Sequence, residues 1–353
     1  MGYFHKVHKQ TDTRFWINNP THEEVQWALD NDTFNCTTNP AFCSRIMKTH
    51  ELAHLEGIVD SLIDEWAASG EEHFDYDKMA LEVYRRTTLE LMDLFRPLYE
   101  SSKGEKGYVT LQDDPRFDED IKHTVDNILY NKTLAPNYMA KIPVINGGIE
   151  AIEACIEHNI PVCITEVFAV SQALVIAERV EAAIKKFGNR PPIYITHISG
   201  IFDDCIARTA AREGIEVSKE ALKQGGIIVA RKQFKALEDH GFNMTMLGGG
   251  ARGLHHFTGI VGGPHVTINW STAEELIKGD FDVIEEIRKE SEQAIIDELY
   301  EKFEIFRQAY DEDGLTADEF ALYPPVQLFR NAFLEGWYLL LALVARRRNA
   351  RAI

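Results

Sequence analysis

The sequence predicts a (β/α)8 TIM barrel with additional helices. Short β-rich runs alternate with longer helical patterns, eight such runs can be counted, and none is followed by a Gly-x-Gly-x-x-Gly turn. Alternation argues a parallel sheet, since parallel neighbours need a crossover that a helix supplies, and eight repeats argue closure. No linker rich in Pro, Gly and Ser and no internal repeat interrupts the chain. Residues 1–353 are therefore expected to form one domain, with a helical insertion at about 41–104 and a helical C-terminal extension at about 278–353.

The elements follow in order. "RFWIN" (14–18), aromatic and β-branched, reads as a strand. "THEEVQWALDN" (21–31) reads as a helix capped by Thr21, with Glu24 three residues on completing a capping box. "FNCTTNP" (34–40) is the second strand and its exit. A long helical stretch from Ala41 to Glu100 is broken by the polar "ASGEEHFDYD". "GYVTLQ" (107–112) is the third strand, and "PRFDEDIKHTVDNILYN" (115–131) a helix opened by Pro115. "YMAKIPV" precedes the helix "GIEAIEACIEHN"; "PVCITEV" (161–167) precedes "SQALVIAERVEAAIKKFG" (171–188); "PIYITHI" (192–198) precedes a helical pair ending near His240. "NMTML" (243–247), a Gly-rich loop and "HVTIN" (265–269) complete the eight, and the remainder is helical.

Composition narrows the function classes. Hydrophobic residues at 45% and charged residues at 26% describe a soluble globular chain. A formal net charge of -19 argues against a nucleic-acid partner, because an acidic surface repels phosphate. Five scattered cysteines without a C-x-x-C pair argue against a disulfide framework or zinc site, and for a reducing, cytoplasmic setting. "MGYFHKVHKQ" lacks the apolar run of a signal peptide, and Lys6 stands where a myristoylation signal would carry Ser or Thr. "WYLLLALVA" (337–345), followed by "RRR", is far short of the roughly 20 residues of a spanning helix. It reads as a buried terminal helix, packed on its own domain or on a second subunit, so no membrane partner is expected and a homo-oligomer is possible.

In such barrels chemistry sits where the strands end. Those ends offer Asn18, Thr37, Thr38, Asn39, Gln112, Lys141, Thr165, Thr196 and the loop of Arg252. All are polar and only Lys141 and Arg252 are charged. Lys141 either snorkels to water, pairs with a carboxylate such as Asp113 or Asp114, or serves as an interior amine. A lysine among neutral groups in a desolvated mouth has its pKa pushed down, which suits a Schiff-base nucleophile. Arg252 in "GGGARGLHH", amid glycines and approaching a helix, suits an anion.

The order of these residues resembles the transaldolase family. "FNCTTNPAF" resembles the T-T-N-P signature after the second strand, and "GYVTLQDDPR" the third-strand motif. "KIPVINGGIEAI" resembles the stretch carrying the Schiff-base lysine, and "CITEVFAVSQALVIAE" the segment that follows it. The likeness runs from about residue 14 to 275. It implies a cofactor-free, metal-free class I aldolase barrel that moves a three-carbon dihydroxyacetone unit between sugars or sugar phosphates. By that resemblance Lys141 forms the imine and Thr165 holds the catalytic water. Thr38, Asn39 and Thr196 bind substrate hydroxyls, and Arg252 binds the phosphate. The alternatives are a fructose-6-phosphate aldolase-like lyase on a non-standard sugar and a non-catalytic sugar-phosphate-binding barrel.

The chain also departs from the family. Asn18 stands where the first strand normally ends in aspartate, and Gln112 where the third normally ends in glutamate. An amide can position but cannot accept a proton. Aldolase-like members with glutamine at that point add a tyrosine on the sixth strand. Ile198 stands there instead, with Tyr194 and His197 as candidate substitutes, and Ile201 replaces a second phosphate arginine. Among other carboxylates, strand alternation points Glu166 away from the interior unless the strand has already ended. Asp114 has the right parity but is expected to cap the next helix. His255, His256 and His265 are expected near the barrel top as solvated or core histidines rather than metal ligands.

Overall fold

The computed structural model describes residues 2–351. Eight parallel strands pair in chain order: β1 (Phe15–Asn18), β2 (Cys36–Thr37), β3 (Val109–Gln112), β4 (Tyr138–Pro143), β5 (Val162–Val167), β6 (Ile193–Ile198), β7 (Thr245–Gly249) and β8 (His265–Ile268). β8 returns to β1 through the pairs Phe15 with Val266 and Ile17 with Ile268, closing the expected barrel. Trp16, Tyr108, Met139, Cys163, Tyr194 and Leu247 fill its lower interior, so the barrel is a packed core with its open end above.

The helices are α1 (Tyr3–Gln10), α2 (His22–Asp30), α3 (Phe42–Ile46), α4 (Leu52–Ser69), α5 (Tyr76–Ser101), α6 (Ile121–Asn131), α7 (Gly148–Glu157) and α8 (Val170–Phe187). They continue with α9 (Ser199–Glu213), α10 (Ala221–Asp239), α11 (His255–Thr258), α12 (Trp270–Lys278), α13 (Gln293–Lys302), α14 (Glu304–Tyr310) and α15 (Pro324–Ala350). Thr21 and Glu24 make the reciprocal capping box expected at α2. The helix expected from Pro115 begins later: Asp120, whose side chain accepts from the His123 amide, caps α6, and the residues before it form turns. Asp114 therefore caps no helix; it accepts instead from the backbone amide and guanidinium of Arg116.

Two additions shape the barrel mouth. Helices α3, α4 and α5 occupy the connection between β2 and β3, and α15 packs on all three and on α9. Gly336 lets α15 cross α3 closely, because a Cβ there would lie 2.7 Å from Ala41 Cα. The basic end of α15 is paired with carboxylates of α4: Arg346 with Glu56, Arg347 with Asp60 and Arg351 with Asp64. Arg348 meanwhile lies over the rings of Trp66, Phe74 and Tyr76. By length and apolar composition alone α15 could cross a membrane, but here its apolar side lies against these helices.

Candidate active site

The C-terminal ends of the strands surround a cavity of about 210 Å³. Asn18, Asn39, Lys141, Thr165, Thr196 and Arg252, all expected from the sequence, line it, and Phe329, Ala332 and Phe333 of α15 roof it. Nothing in the local pattern marks the roof except a pair of aromatics four residues apart on the terminal helix.

Lys141 stands on β4, paired with Gln112 of β3 and Cys163 of β5. Its Nζ donates to the Thr38 carbonyl at 3.1 Å and lies 5.9 Å from the Phe333 ring centroid. Among the described residues no carboxylate pairs with it: Asp114 is taken by Arg116, and Asp113 is buried beside His123. Burial pushes its pKa below the ordinary lysine range, partly opposed by Cys163, Glu166 and Cys36. Desolvation disfavours the ammonium form, which shifts the balance towards the free amine.

Polar groups of the mouth hold one another in place. Asn18 donates through Nδ2 to Asn269 Oδ1 at 2.8 Å and accepts from Thr37 Oγ at 2.9 Å. Asn39 Oδ1 accepts from Asn19 Nδ2 and from the Ala41 amide. Thr196 Oγ lies 3.2 Å from Cys163 Sγ. Thr38 differs from expectation. Its hydroxyl faces outward, 2.9 Å from the phenol of Tyr84 and 2.6 Å from the Thr110 carbonyl, so only its backbone meets Lys141. Thr37 is the residue on the inner face, as alternation along the chain from Asn39 could have indicated.

Glu166 overturns the alternation argument. The register between β5 and β6 shifts between Ile164 and Val167, and Glu166 adopts a left-handed φ of 61°. This bulge turns the carboxyl towards β3, where Oε1 accepts from Gln112 Nε2 at 3.2 Å, and neither Glu166 nor Gln112, which was expected at the site, lines the cavity itself. Glu166 is fully buried, and desolvation, with Asp118 adding to it, pushes its pKa up to about 8 against the opposing pull of Gln112, Lys141 and Arg330. Glu166 Oε2, Gln112 Oε1 and Thr165 Oγ are all buried without a protein partner. Left unpaired, such an atom costs about 1–3 kcal/mol, so the three together call for a shared polar partner such as a bound water.

The anion end also differs from expectation. Arg252 Nε donates to Asp204 Oδ2 at 2.8 Å, so the guanidinium already has a carboxylate. Gly250 turns the chain there at a φ of 67°, packed on Ile198. The loop is pinned from below: the Arg252 amide donates to His256 Nδ1 at 3.1 Å, and His256 Nε2 donates to Asp203 Oδ2 at 2.9 Å. Asp203, His255 and His256 are close enough to share a cation, but both ring nitrogens of His256 are engaged in positioning this loop. The proposed substitutes for a sixth-strand tyrosine lie elsewhere. Tyr194 packs against Trp16 in the lower interior, and His197 faces α10, donating to the Gly226 carbonyl at 2.9 Å. His265 begins β8, at the opposite end from the cavity, and accepts from Trp16 Nε1.

Residues 15–320 match the family described as Transaldolase/Fructose-6-phosphate aldolase. The transaldolase of Helicobacter pylori is 28% identical over 222 residues, covering 59% of this chain and 59% of that protein. A transaldolase of Thiobacillus denitrificans is 34% identical over 100 residues, 28% of this chain and 27% of that protein. One from Mycobacterium bovis is 24% identical over 216 residues, 58% and 54% of the two. The chain thus spans less than two thirds of the length of the relatives it matches. A matched region running from β1 to the 3-10 turn before α15, over a closed barrel whose fourth strand carries a buried, unpaired lysine, makes this chain a member of the transaldolase/fructose-6-phosphate aldolase family.

Proposed function

We propose that the protein is a transaldolase-like Schiff-base enzyme, transferring a three-carbon dihydroxyacetone unit from a ketose or ketose phosphate to an aldehyde. The observation that carries this is Lys141: an amine on the cavity wall, buried, unpaired with any carboxylate and held towards its neutral form. The neutral amine attacks the ketose carbonyl and water leaves. The resulting iminium draws electrons from the adjacent carbon, so the next C–C bond breaks to an aldehyde and a bound enamine. Asn18, Asn39 and Thr196 offer amide and hydroxyl groups for the sugar hydroxyls, and Arg252 a cation for an anionic end. Phe329 and Phe333 exclude water, which preserves the amine and protects the enamine from early protonation. Five free, buried cysteines fit a cytoplasmic setting.

The test is borohydride reduction in the presence of dihydroxyacetone or fructose 6-phosphate. The expected result is a mass adduct on the peptide containing Lys141, absent in Lys141→Met, together with loss of turnover in that variant. An unlabelled Lys141, or full turnover in Lys141→Met, refutes the reading. In a parallel assay without borohydride, an added aldehyde acceptor separates transfer, which yields a longer ketose, from simple release of the three-carbon unit.

A further inference from the structure

We infer, given the Schiff-base reading of Lys141, that Glu166 is the proton carrier of the reaction. It works from the bulge in β5, through Thr165 and Gln112, in place of an acidic side chain at the end of β3. Glu166 does not line the cavity, but Thr165, its neighbour in the chain, does. No hydrogen bond joins Thr165 Oγ to the Glu166 carboxyl, so the proton crosses between them on one bridging water, which a threonine hydroxyl can hold because it both donates and accepts. Glu166 Oε1 is fixed by the Gln112 amide, while Oε2 is left free, as are Thr165 Oγ and Gln112 Oε1.

The surroundings argue against a purely structural role. Arg330 of α15 donates to Asp118 and Glu119, not to Glu166, so no ion pair explains the buried carboxyl. The backbone argues the same way. A φ of 61° disfavours any side chain, yet a glutamate occupies it, and that conformation is what turns the carboxyl towards Gln112 of β3. The need for a carrier is equally plain. Among the described residues none lining the cavity has a carboxylate or an imidazole, and Asn18 cannot accept a proton.

The proton count closes. Burial raises the Glu166 pKa to about 8, which favours the neutral acid at neutral pH, and lowers that of Lys141, which makes the attacking neutral amine easier to form. The amine adds to the ketose carbonyl, forming the C–N bond. Water then leaves, carrying the carbonyl oxygen, one amine proton and the Glu166 proton. The products are an iminium and the Glu166 carboxylate, opposite charges in one buried site. When the C–C bond breaks, its electron pair enters the enamine. The proton of the departing hydroxyl passes by way of Thr165 and the bridging water to the carboxylate, leaving an aldehyde and restoring the neutral acid. General acid/base assistance of this kind contributes about 10²–10⁴-fold.

The experiment compares the parent protein with Glu166→Gln and with the exchange Gln112→Glu/Glu166→Gln, using dihydroxyacetone and fructose 6-phosphate. It follows the rate of borohydride-trappable adduct on Lys141 and the pH dependence of kcat/KM. Glu166→Gln is expected to slow adduct formation by about 10²-fold or more, with little change in KM, and to abolish an ionisation near pH 8. The exchange returns one carboxyl to the same pair and is expected to recover at least about tenfold of that loss. Glu166→Gln forming the adduct within threefold of the parent rate, with the pH profile unchanged, overturns the inference while leaving the Schiff base intact. A folded exchange variant that fails to outpace Glu166→Gln overturns it too, and serves as the test if the single variant does not fold. Absence of any adduct in the parent protein overturns both the Schiff-base reading and the role of Glu166.

Discussion

A single ion pair governs what the mouth can bind. Arg252 is half exposed and already holds Asp204, so an incoming phosphate must compete with a carboxylate for the same guanidinium. An exposed pair of this kind is worth at most about 1 kcal/mol, which corresponds to about fivefold in affinity. Asp204→Asn is therefore expected to lower KM for fructose 6-phosphate about two- to fivefold and to leave dihydroxyacetone unaffected. Equal shifts for both substrates, or none for the phosphate, would show that Arg252 does not read the anionic end. At this scale the sequence was informative where a side chain follows strand periodicity and misleading where it does not. Lys141, Thr165 and Thr196 stand on the inner face as expected. Thr37 rather than Thr38 lines the cavity, as alternation along the strand from Asn39 favours, so that signal was present. Glu166 had no signal: a left-handed conformation at a non-glycine residue is imposed by tertiary packing, and period-two reasoning sends its carboxyl outward.

Among the elements, the additions were legible as helices and illegible as parts of a site. Periodicity marks α15 as apolar, but nothing in it reveals that Phe329 and Phe333 close a cavity built from β1 to β8, since that contact spans most of the chain. The insertion is also tied to the barrel at a titratable point. His22, at the start of α2, lies between two carboxylates, Glu51 at the start of α4 (3.1 Å from Nδ1) and Glu90 of α5 (3.2 Å from Nε2). His54 of α4 shares Glu90 at 2.8 Å. The bond to Glu90 is the largest cause raising the His22 pKa, followed by an opposing desolvation and by further support from Glu51. A histidine whose pKa is raised on folding contributes stability that is complete below its unfolded value of about 6.5 and disappears as pH rises through the folded one. Thermal unfolding from pH 5.5 to 9 should thus show the parent more stable than His22→Gln at the acid end, with the gap closing at the alkaline end. A gap independent of pH would mean that His22 acts by packing alone.

For the whole molecule, the alternation of strand and helix was enough to predict closure, because a parallel sheet of eight strands has few other ways to satisfy its edges. How far the barrel would be roofed was not predictable from local pattern. Gly336 and the arginines at the end of α15 act only once α3 and α4 are in place. The same fold must also bear the cost of its chemistry. At Glu166 the chain holds a non-glycine residue left-handed, a conformation that costs about 1 kcal/mol, and hides a carboxyl there with an oxygen unpaired. Replacing it by glycine removes the strain and the buried acid together, in surroundings polar enough to admit water. Glu166→Gly is therefore expected to melt no lower than the parent while losing turnover, and a clear fall in melting temperature would assign the residue to the scaffold instead. Robustness and rate would then be set against each other at one backbone position, and selection for heat tolerance alone would erode the enzyme there first.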